Sequence, residues 1–233
     1  MPTGSRYAGW SIIRSVDHFG KKRTTTATMN DKAVPREIFE KHYASGSAPW
    51  DIPGPQQPFV DASDRIVGTV LDVGCGTGEN ALFFAERGHI VTGIDFLEAP
   101  IQLARQKAQD RDVTVDFRVH DALQLADLGQ AFDNLLDCGL FHTFSDEQRI
   151  PYVGGLGEVT RSGGKLFLMC FSDREPGEEG PRRVSQHEIG DAFSQGWEIE
   201  SIAEQRFAIN PDFTEADFSG GGRIAWFCVI RRQ

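Results

Sequence analysis

Three aspartates and one histidine stand where chemistry could be done. Asp72 lies in TVLDVGCGTGENALFF, just ahead of a loop holding Gly74, Gly76 and Gly78, and Glu79 follows that loop. Asp95 closes HIVTGID, Asp121 follows VTVDFRV in RVHDAL, and His142 lies in GLFHTF after FDNLLD. A glycine loop between a strand and a helix commonly cradles phosphate on bare backbone amides. Carboxylates on both sides of the loop oppose that use, and no Lys or Arg lies between Ile66 and Glu86 to offset them. These charges suit a ligand that is cationic at this end. Asp95, about 20 residues past the loop, is placed to accept hydrogen bonds from ribose hydroxyls. Asp121 is placed to accept one from the exocyclic amino group of adenine, or else simply to cap the next helix.

S-adenosylmethionine (SAM) meets all three acids, since it carries a sulfonium, an ammonium and an adenosine but no phosphate. Glycines let its backbone lie against the loop without a Cβ clash. Gly76, Gly78 and Ala81 also fit G-x-G-x-x-A, so an NAD-dependent oxidoreductase stays open as an alternative, as does a tight turn with no ligand. His142, past the fourth apolar run, is a candidate general base for a phenol or thiol, worth roughly 10²- to 10⁴-fold in rate. Its alternative role is a structural histidine bonded to backbone beside the site. Phe39, His42, Tyr43 and Trp50, with Phe213 and Phe218 late in the chain, are expected to cover an apolar, planar substrate.

The elements that must position these residues alternate in type. Apolar, β-branched runs at 69–73, 89–95, 113–119, 132–137 and 165–171 are expected strands. Helices are expected over ENALFFAERG, closed by Gly88, and through IQLARQKA with Pro100 in its first turn. Ser145 with Gln148 and Ser185 with Glu188 form capping-box pairs for two more helices, the first weakened by Pro151 and three glycines. WEIESIAEQRFAI and RIAWFCVI are joined without a helix, which allows an antiparallel pair. The expected fold is α/β: a Rossmann-like, seven-stranded, mostly parallel sheet with helices on both faces and an antiparallel last strand.

Composition narrows the classes. The chain has 233 residues, 39% of them hydrophobic, and a net charge of -10. No Lys/Arg stripe favours a nucleic-acid partner, and no apolar run approaches the roughly 20 residues of a membrane span. The four cysteines and six histidines are scattered, which points to reduced thiols in a cytoplasmic protein without a metal site. Residues 1–28 carry Arg6, Arg14, Lys21, Lys22 and Arg23 against Asp17, and are expected to be a disordered basic tail or a targeting segment before a domain over 29–233.

LDVGCGTGENALFFAERGHIVTGIDFLEAPIQLARQKA resembles the SAM-binding half of class I methyltransferases. HYASGSAPWDIPGPQQPFV and LLDCGLFHTFSDEQR resemble the thiopurine-methyltransferase-like small-molecule enzymes, which include bacterial enzymes for heterocyclic toxins or phenolic hydroxyls. The glycine loop departs from that of the thiopurine enzymes themselves. The resemblance implies Trp50 beside the cofactor, and Asp72, Gly74 and Gly76 at its methionine end. It further implies Asp95 on the ribose, Asp121 and Ala122 about the adenine, and Cys138 near the methyl donor. Cys75 and Phe96 complete the candidate cofactor set; Phe39, Tyr43 and Phe141 form the candidate acceptor set. The expected activity is methyl transfer from SAM to an oxygen, sulfur or nitrogen of a small molecule. A nucleic-acid methyltransferase of the base-amino type would carry an N-P-P-Y-like motif where this chain has DCGLF. A non-catalytic SAM-binding protein remains the other alternative.

Overall fold

The computed structural model describes residues 32–46, 48–177, 180–212 and 222–233. The expectations for residues 1–28, Phe213 and Phe218 lie outside these. Seven strands form one sheet in the order β3-β2-β1-β4-β5-β7-β6. They are β1 (Thr69–Val73), β2 (Ile90–Asp95), β3 (Asp116–Val119), β4 (Phe132–Cys138), β5 (Thr160–Phe171), β6 (Trp197–Phe207) and β7 (Arg223–Arg232). β1 to β5 pair in parallel, whereas β7 runs antiparallel to both β5 and β6. The reversal carries the start of β7 to the edge where the other strands end. Phe171, Phe207 and Arg223 therefore meet at that edge.

The period-two alternation of the strands feeds two cores, one on each face. Leu166, Leu168 and Cys170 of β5, with Trp226, Cys228 and Ile230 of β7, face one side. There they pack on Tyr152, Leu156 and Val159 of α5 (Asp146–Val159) and on Ile189 of α6 (Gln186–Ala192). Phe167 and Met169, with Phe227 and Val229, face the other. They pack in the layer of Phe59 from α2 (Gln57–Asp61), Leu82 and Phe84 from α3 (Glu79–Ala85), and Ile101 and Ala104 from α4 (Glu98–Asp110). The remaining helix, α1 (Arg36–Ser45), buries none of its residues and lies over the carboxyl edge.

Both capping boxes form, with Ser145 accepting from the Gln148 amide and Ser185 from that of Glu188. The first outweighs Pro151 and the glycines, because α5 also buries Tyr152, Leu156 and Val159 in the core. Helices after Gly78 and Ser185 stop earlier than the sequence pattern, at Ala85 and Ala192, while β5 begins earlier, at Thr160.

Candidate active site

A cavity of about 890 Å³ opens along the carboxyl edge of β1, β2 and β4, at the point where strand order reverses. Its floor is the glycine loop. Gly74, Gly76 and Gly78 all have positive φ, of 70°, 53° and 86°. A Cβ on Gly76 would lie 2.7 Å from the Tyr43 hydroxyl, and one on Gly74 would lie 3.0 Å from Leu140 Cδ2. At Gly74 and Gly76 the loop is thus a cradle that a larger residue would fill.

The acids are gathered around it. Asp72 is buried at the end of β1, where its carboxylate accepts from the Ala81 amide at 3.1 Å. Burial, with Asp137 and Asp95 nearby, raises its pKa to about 7. Asp95 accepts from the Gly76 amide at 3.1 Å and the Leu97 amide at 2.9 Å; burial raises its pKa to about 6 against those bonds. Asp121 lines the cavity and also caps the turn over 122–128 through the Leu123 amide at 2.9 Å, so both roles considered for it are geometrically open. Ala122, Cys75, Phe96 and Cys138 line the same cavity. Burial pushes the Cys75 and Cys138 thiols up, so neither offers a thiolate.

Glu79 corrects the charge argument made from the sequence. Its carboxylate is held by Lys107 Nζ at 2.8 Å and by Arg111 at 2.8 Å, both from the far end of α4 or just past it. Lys107 also donates to Thr77 Oγ1 at 2.8 Å, and that hydroxyl donates to Asp51 at 2.5 Å. The negative charge presented at the loop is therefore that of Asp72 and Asp95. The cations lie 28 and 32 residues beyond Glu79, where a count of neighbouring residues does not reach.

Four aromatics close the cavity above the loop. Trp50 Nε1 donates to the Tyr43 hydroxyl at 2.9 Å, and Phe39 packs on both Trp50 and Phe96 with ring centroids 5.6 Å apart. The sequence divided these four between cofactor and acceptor; the structure joins them in one cluster, with Tyr43 reaching the glycine loop. The cover is stitched down by three sets of bonds. Val34 N–H donates to Thr143 O at 2.8 Å and Asn210 N–H to Pro49 O at 2.9 Å. Gln56 both donates to Ala208 O and accepts from Ala208 N.

The opposite end is walled by Phe171, Phe207 and His142. His142 stacks on Phe171 with centroids 4.6 Å apart and meets Phe207 edge-on at 6.0 Å. The Phe171 N–H donates to His142 Nδ1 at 3.0 Å. A backbone amide only donates, so Nδ1 accepts and the neutral ring carries its proton on Nε2. Burial lowers the His142 pKa to about 3, with Arg149 and Arg183 adding to the effect.

Phe141 does not join this wall. It is fully buried, 5.8 Å from Phe193 and under the Arg149 guanidinium at 4.2 Å. The short 3₁₀ turn Phe141–Thr143 points Phe141 into the core and His142 into the cavity. Buried Asp137 fixes that turn by accepting from the Leu140 and Phe141 amides and from the Tyr152 hydroxyl at 2.7 Å. Phe171, Phe207, Leu140 and Arg223 were not singled out from the sequence. Phe171 ends an expected strand, which was the available signal; Arg223 begins one and reaches the site because β7 is reversed.

Comparison with known proteins agrees with this geometry. Residues 70–164 match the methyltransferase-domain family. The chain is 30% identical over 199 residues to the 2-heptyl-1-hydroxyquinolin-4(1H)-one methyltransferase of Mycobacteroides abscessus, covering 80% of this chain and 86% of that one. A solved structure concerned with conversion of a disulfide bond into a thioacetal group during echinomycin biosynthesis superposes with a TM-score of 0.76 at 32% identity, covering 85% of this chain and 93% of that one. Magnesium protoporphyrin IX methyltransferase from Synechocystis PCC 6803 shares the fold at a TM-score of 0.58 and 18% identity, over 92% of this chain and 90% of that one. The chain belongs to the SAM-dependent methyltransferase family. Its cofactor is SAM, and the carboxylates and the open glycine cradle fit that cation. Among the described residues no helix is long and apolar enough to cross a membrane, and no group of three or more His, Cys, Asp or Glu could hold a metal ion.

Proposed function

We propose that this enzyme methylates a small, planar, aromatic or heteroaromatic acceptor at an oxygen, sulfur or nitrogen. The observation that carries the reading is the division of one cavity. Carboxylates from β1 and β2 line one end, and the Phe171, Phe207 and His142 rings wall the other. The volume of about 890 Å³ is at the upper end for a small-molecule site, enough for a donor and an acceptor side by side. The relative named for a hydroxyquinolone supports this class of acceptor, and the structure concerned with a disulfide-to-thioacetal conversion supports a small natural product as substrate.

When bound, SAM supplies a methyl group already activated by a cationic sulfur. The chain's residues hold and align the reactants. We assign Asp95 to the ribose, Asp121 and Ala122 to the adenine, and Asp72, Gly74 and Gly76 to the methionine end, with Trp50, Cys75, Phe96 and Cys138 around them. The aromatic wall sets the plane of the acceptor and excludes water, so approach and desolvation supply much of the acceleration. Phe39 and Tyr43 close over both. Four free cysteines support work in a reducing compartment such as the cytoplasm.

The test is a methyl-transfer screen with labelled SAM over hydroxyquinolones, phenols, thiols, N-heterocycles and halide ions, beside calorimetry with SAM, its demethylated product and NAD. Turnover on a planar aromatic acceptor is expected, and NAD should not bind. Turnover confined to halide, or to protein or nucleic acid supplied as competitors, refutes the reading.

A further inference from the structure

We propose that His142 serves the acceptor as a fixed Nε2–H hydrogen-bond donor, and that the acceptor arrives already ionised, as an acidic heteroaromatic or phenolic hydroxyl or thiol. This rests on the small-acceptor reading above and specifies its substrate class.

The first ground is the hydrogen-bond order of the imidazole. Nδ1 is occupied by the Phe171 amide at 3.0 Å, so no lone pair on the ring is left to take a proton from a substrate. To act as a base the ring would have to turn over or surrender that bond. Its freedom to do so is small. The residue is 6% exposed, and its ring is stacked on Phe171 and capped edge-on by Phe207, with Gly139 beside it, where an added Cβ would sit 3.4 Å from Cε1.

The second ground is the company it keeps. The charged groups that act on His142 are Arg149 from α5, itself 3.4 Å from Glu188 and 3.9 Å from Asp146, and Arg183 from the segment after β5. Arg223 of β7 stands 5.7 Å over the Phe171 ring on which His142 stacks. Glu175 is buried, lies 3.6 Å from Arg223 and accepts from the Ile224 amide. An imidazolium there is disfavoured first by burial and then by the Arg149 and Arg183 guanidiniums, which agrees with the low pKa of the ring. A negatively charged oxygen or sulfur meets the same cost of burial, but there it is offset by attraction to the guanidiniums and by the Nε2–H bond.

The third ground concerns carboxylate bases. Among the described residues, the carboxylates lining the cavity are Asp51, Asp72, Glu79, Asp95 and Asp121, all from β1, α3, β2, the turn after β3 or the segment after α1. None comes from β4, β5, β6 or β7. The acceptor end therefore offers a donor and cations and no side-chain carboxylate.

The step then balances without proton transfer. A lone pair of the acceptor anion forms the new bond to the methyl carbon while the carbon–sulfur bond of the donor breaks, its electron pair remaining on sulfur. The anion and the sulfonium both become neutral. His142 Nε2–H holds the anion in line.

The experiment measures kcat/KM against pH for a series of hydroxyquinolones and substituted phenols of graded acidity, with the wild-type chain, His142→Gln and His142→Leu. The rising limb is expected to move with each acceptor's own pKa. Gln retains an N–H donor and should keep most of the activity. Leu should lose roughly 10- to 100-fold, by the same factor for every acceptor, since a bond to an ion is removed. Ring ¹⁵N spectra should show an unprotonated Nδ1 and protonated Nε2 from about pH 5 to 8. With SAM saturating at every pH, a limb fixed at one pH for all acceptors, or a Gln loss that grows with acceptor pKa, overturns the inference and makes His142 a base. Equal activity of the Leu variant removes its contact with the acceptor. SAM binding with no methyl transfer to any member in any variant overturns the small-acceptor reading itself, and this inference with it.

Discussion

Asp72 should couple cofactor binding to pH. Its carboxyl is buried beside the glycine loop and its pKa is raised to about 7 by that burial, with Asp137 and Asp95 contributing. In the free protein such a group is roughly nine-tenths protonated near pH 6 and roughly one-tenth near pH 8. A sulfonium cation selects the ionised form, so binding SAM below about pH 7 must expel a proton. If only the ionised form binds, the apparent Kd is about tenfold weaker near pH 6 than near pH 8. The demethylated product has the same ammonium and carboxylate but a neutral sulfur, so it controls for titration of the ligand itself. Its Kd should change much less. The assay is calorimetry with both ligands across this range in two buffers of different ionisation enthalpy, which reports protons released per site. Equal pH dependence and equal proton release for SAM and product would refute the reasoning, because the sulfonium would then not be read by Asp72. Asp72→Asn should flatten the SAM profile.

Further outcomes follow from other residues. The same Asp72→Asn substitution should raise the Tm of the ligand-free protein at pH 8 and leave it nearly unchanged at pH 4. A carboxyl with a raised folded pKa binds its proton more tightly when folded, so its contribution falls as pH rises from about 4 to about 7, by roughly 2 to 4 kcal/mol at most. Asp95→Ala should weaken SAM binding by roughly 1 to 3 kcal/mol in calorimetry, and should also lower Tm, because the Gly76 and Leu97 amides lose their acceptor. Gly78→Ala should destabilise the fold by roughly 1 to 3 kcal/mol in denaturant titration. It combines a φ of 86° with a Cβ placed 2.7 Å from Phe117 Cζ and 3.0 Å from Ala104 Cβ. A chain starting at Met29 should keep both its Tm and its SAM affinity; a drop of several degrees would show that the preceding residues pack on the domain.

How much of this could be read from the sequence depended on the range of the interaction concerned. β1, β2, β4 and β5 are largely buried apolar runs between turn residues and announce themselves locally, whereas β3 buries only Phe117 and is read from its β-branched flanks. Asp72, Asp95 and Asp121 were legible for the same reason: the first two lie at the ends of β1 and β2, and the third follows β3. Glu79 was misjudged because its counter-charges, Lys107 and Arg111, come from the next helix and the turn after it. Phe141 and His142 are neighbours whose directions are set by a single 3₁₀ turn held by Asp137, and no periodicity distinguishes them. The chemistry of His142 was the least legible of all. It turns on which ring nitrogen meets the Phe171 amide, a contact between residues 29 apart in the chain.

The helix α1 has no buried residue, yet it carries Phe39 and Tyr43 over the site. Its detachment is opposed by the aromatic cluster, the Arg36 guanidinium over Phe96, and the bonds from Val34 to Thr143 and from Trp50 to Tyr43. Its opening free energy must then be small when nothing lies beneath it, and must rise with every ligand atom those rings touch. The helix is consequently a built-in gauge of occupancy. Deuterium uptake by its backbone amides should be fast in the free protein, slower with the cofactor, and slowest once a true acceptor completes the complex. Mass spectrometry of this one segment could sort a metabolite mixture for the natural acceptor before any methylated product had been identified.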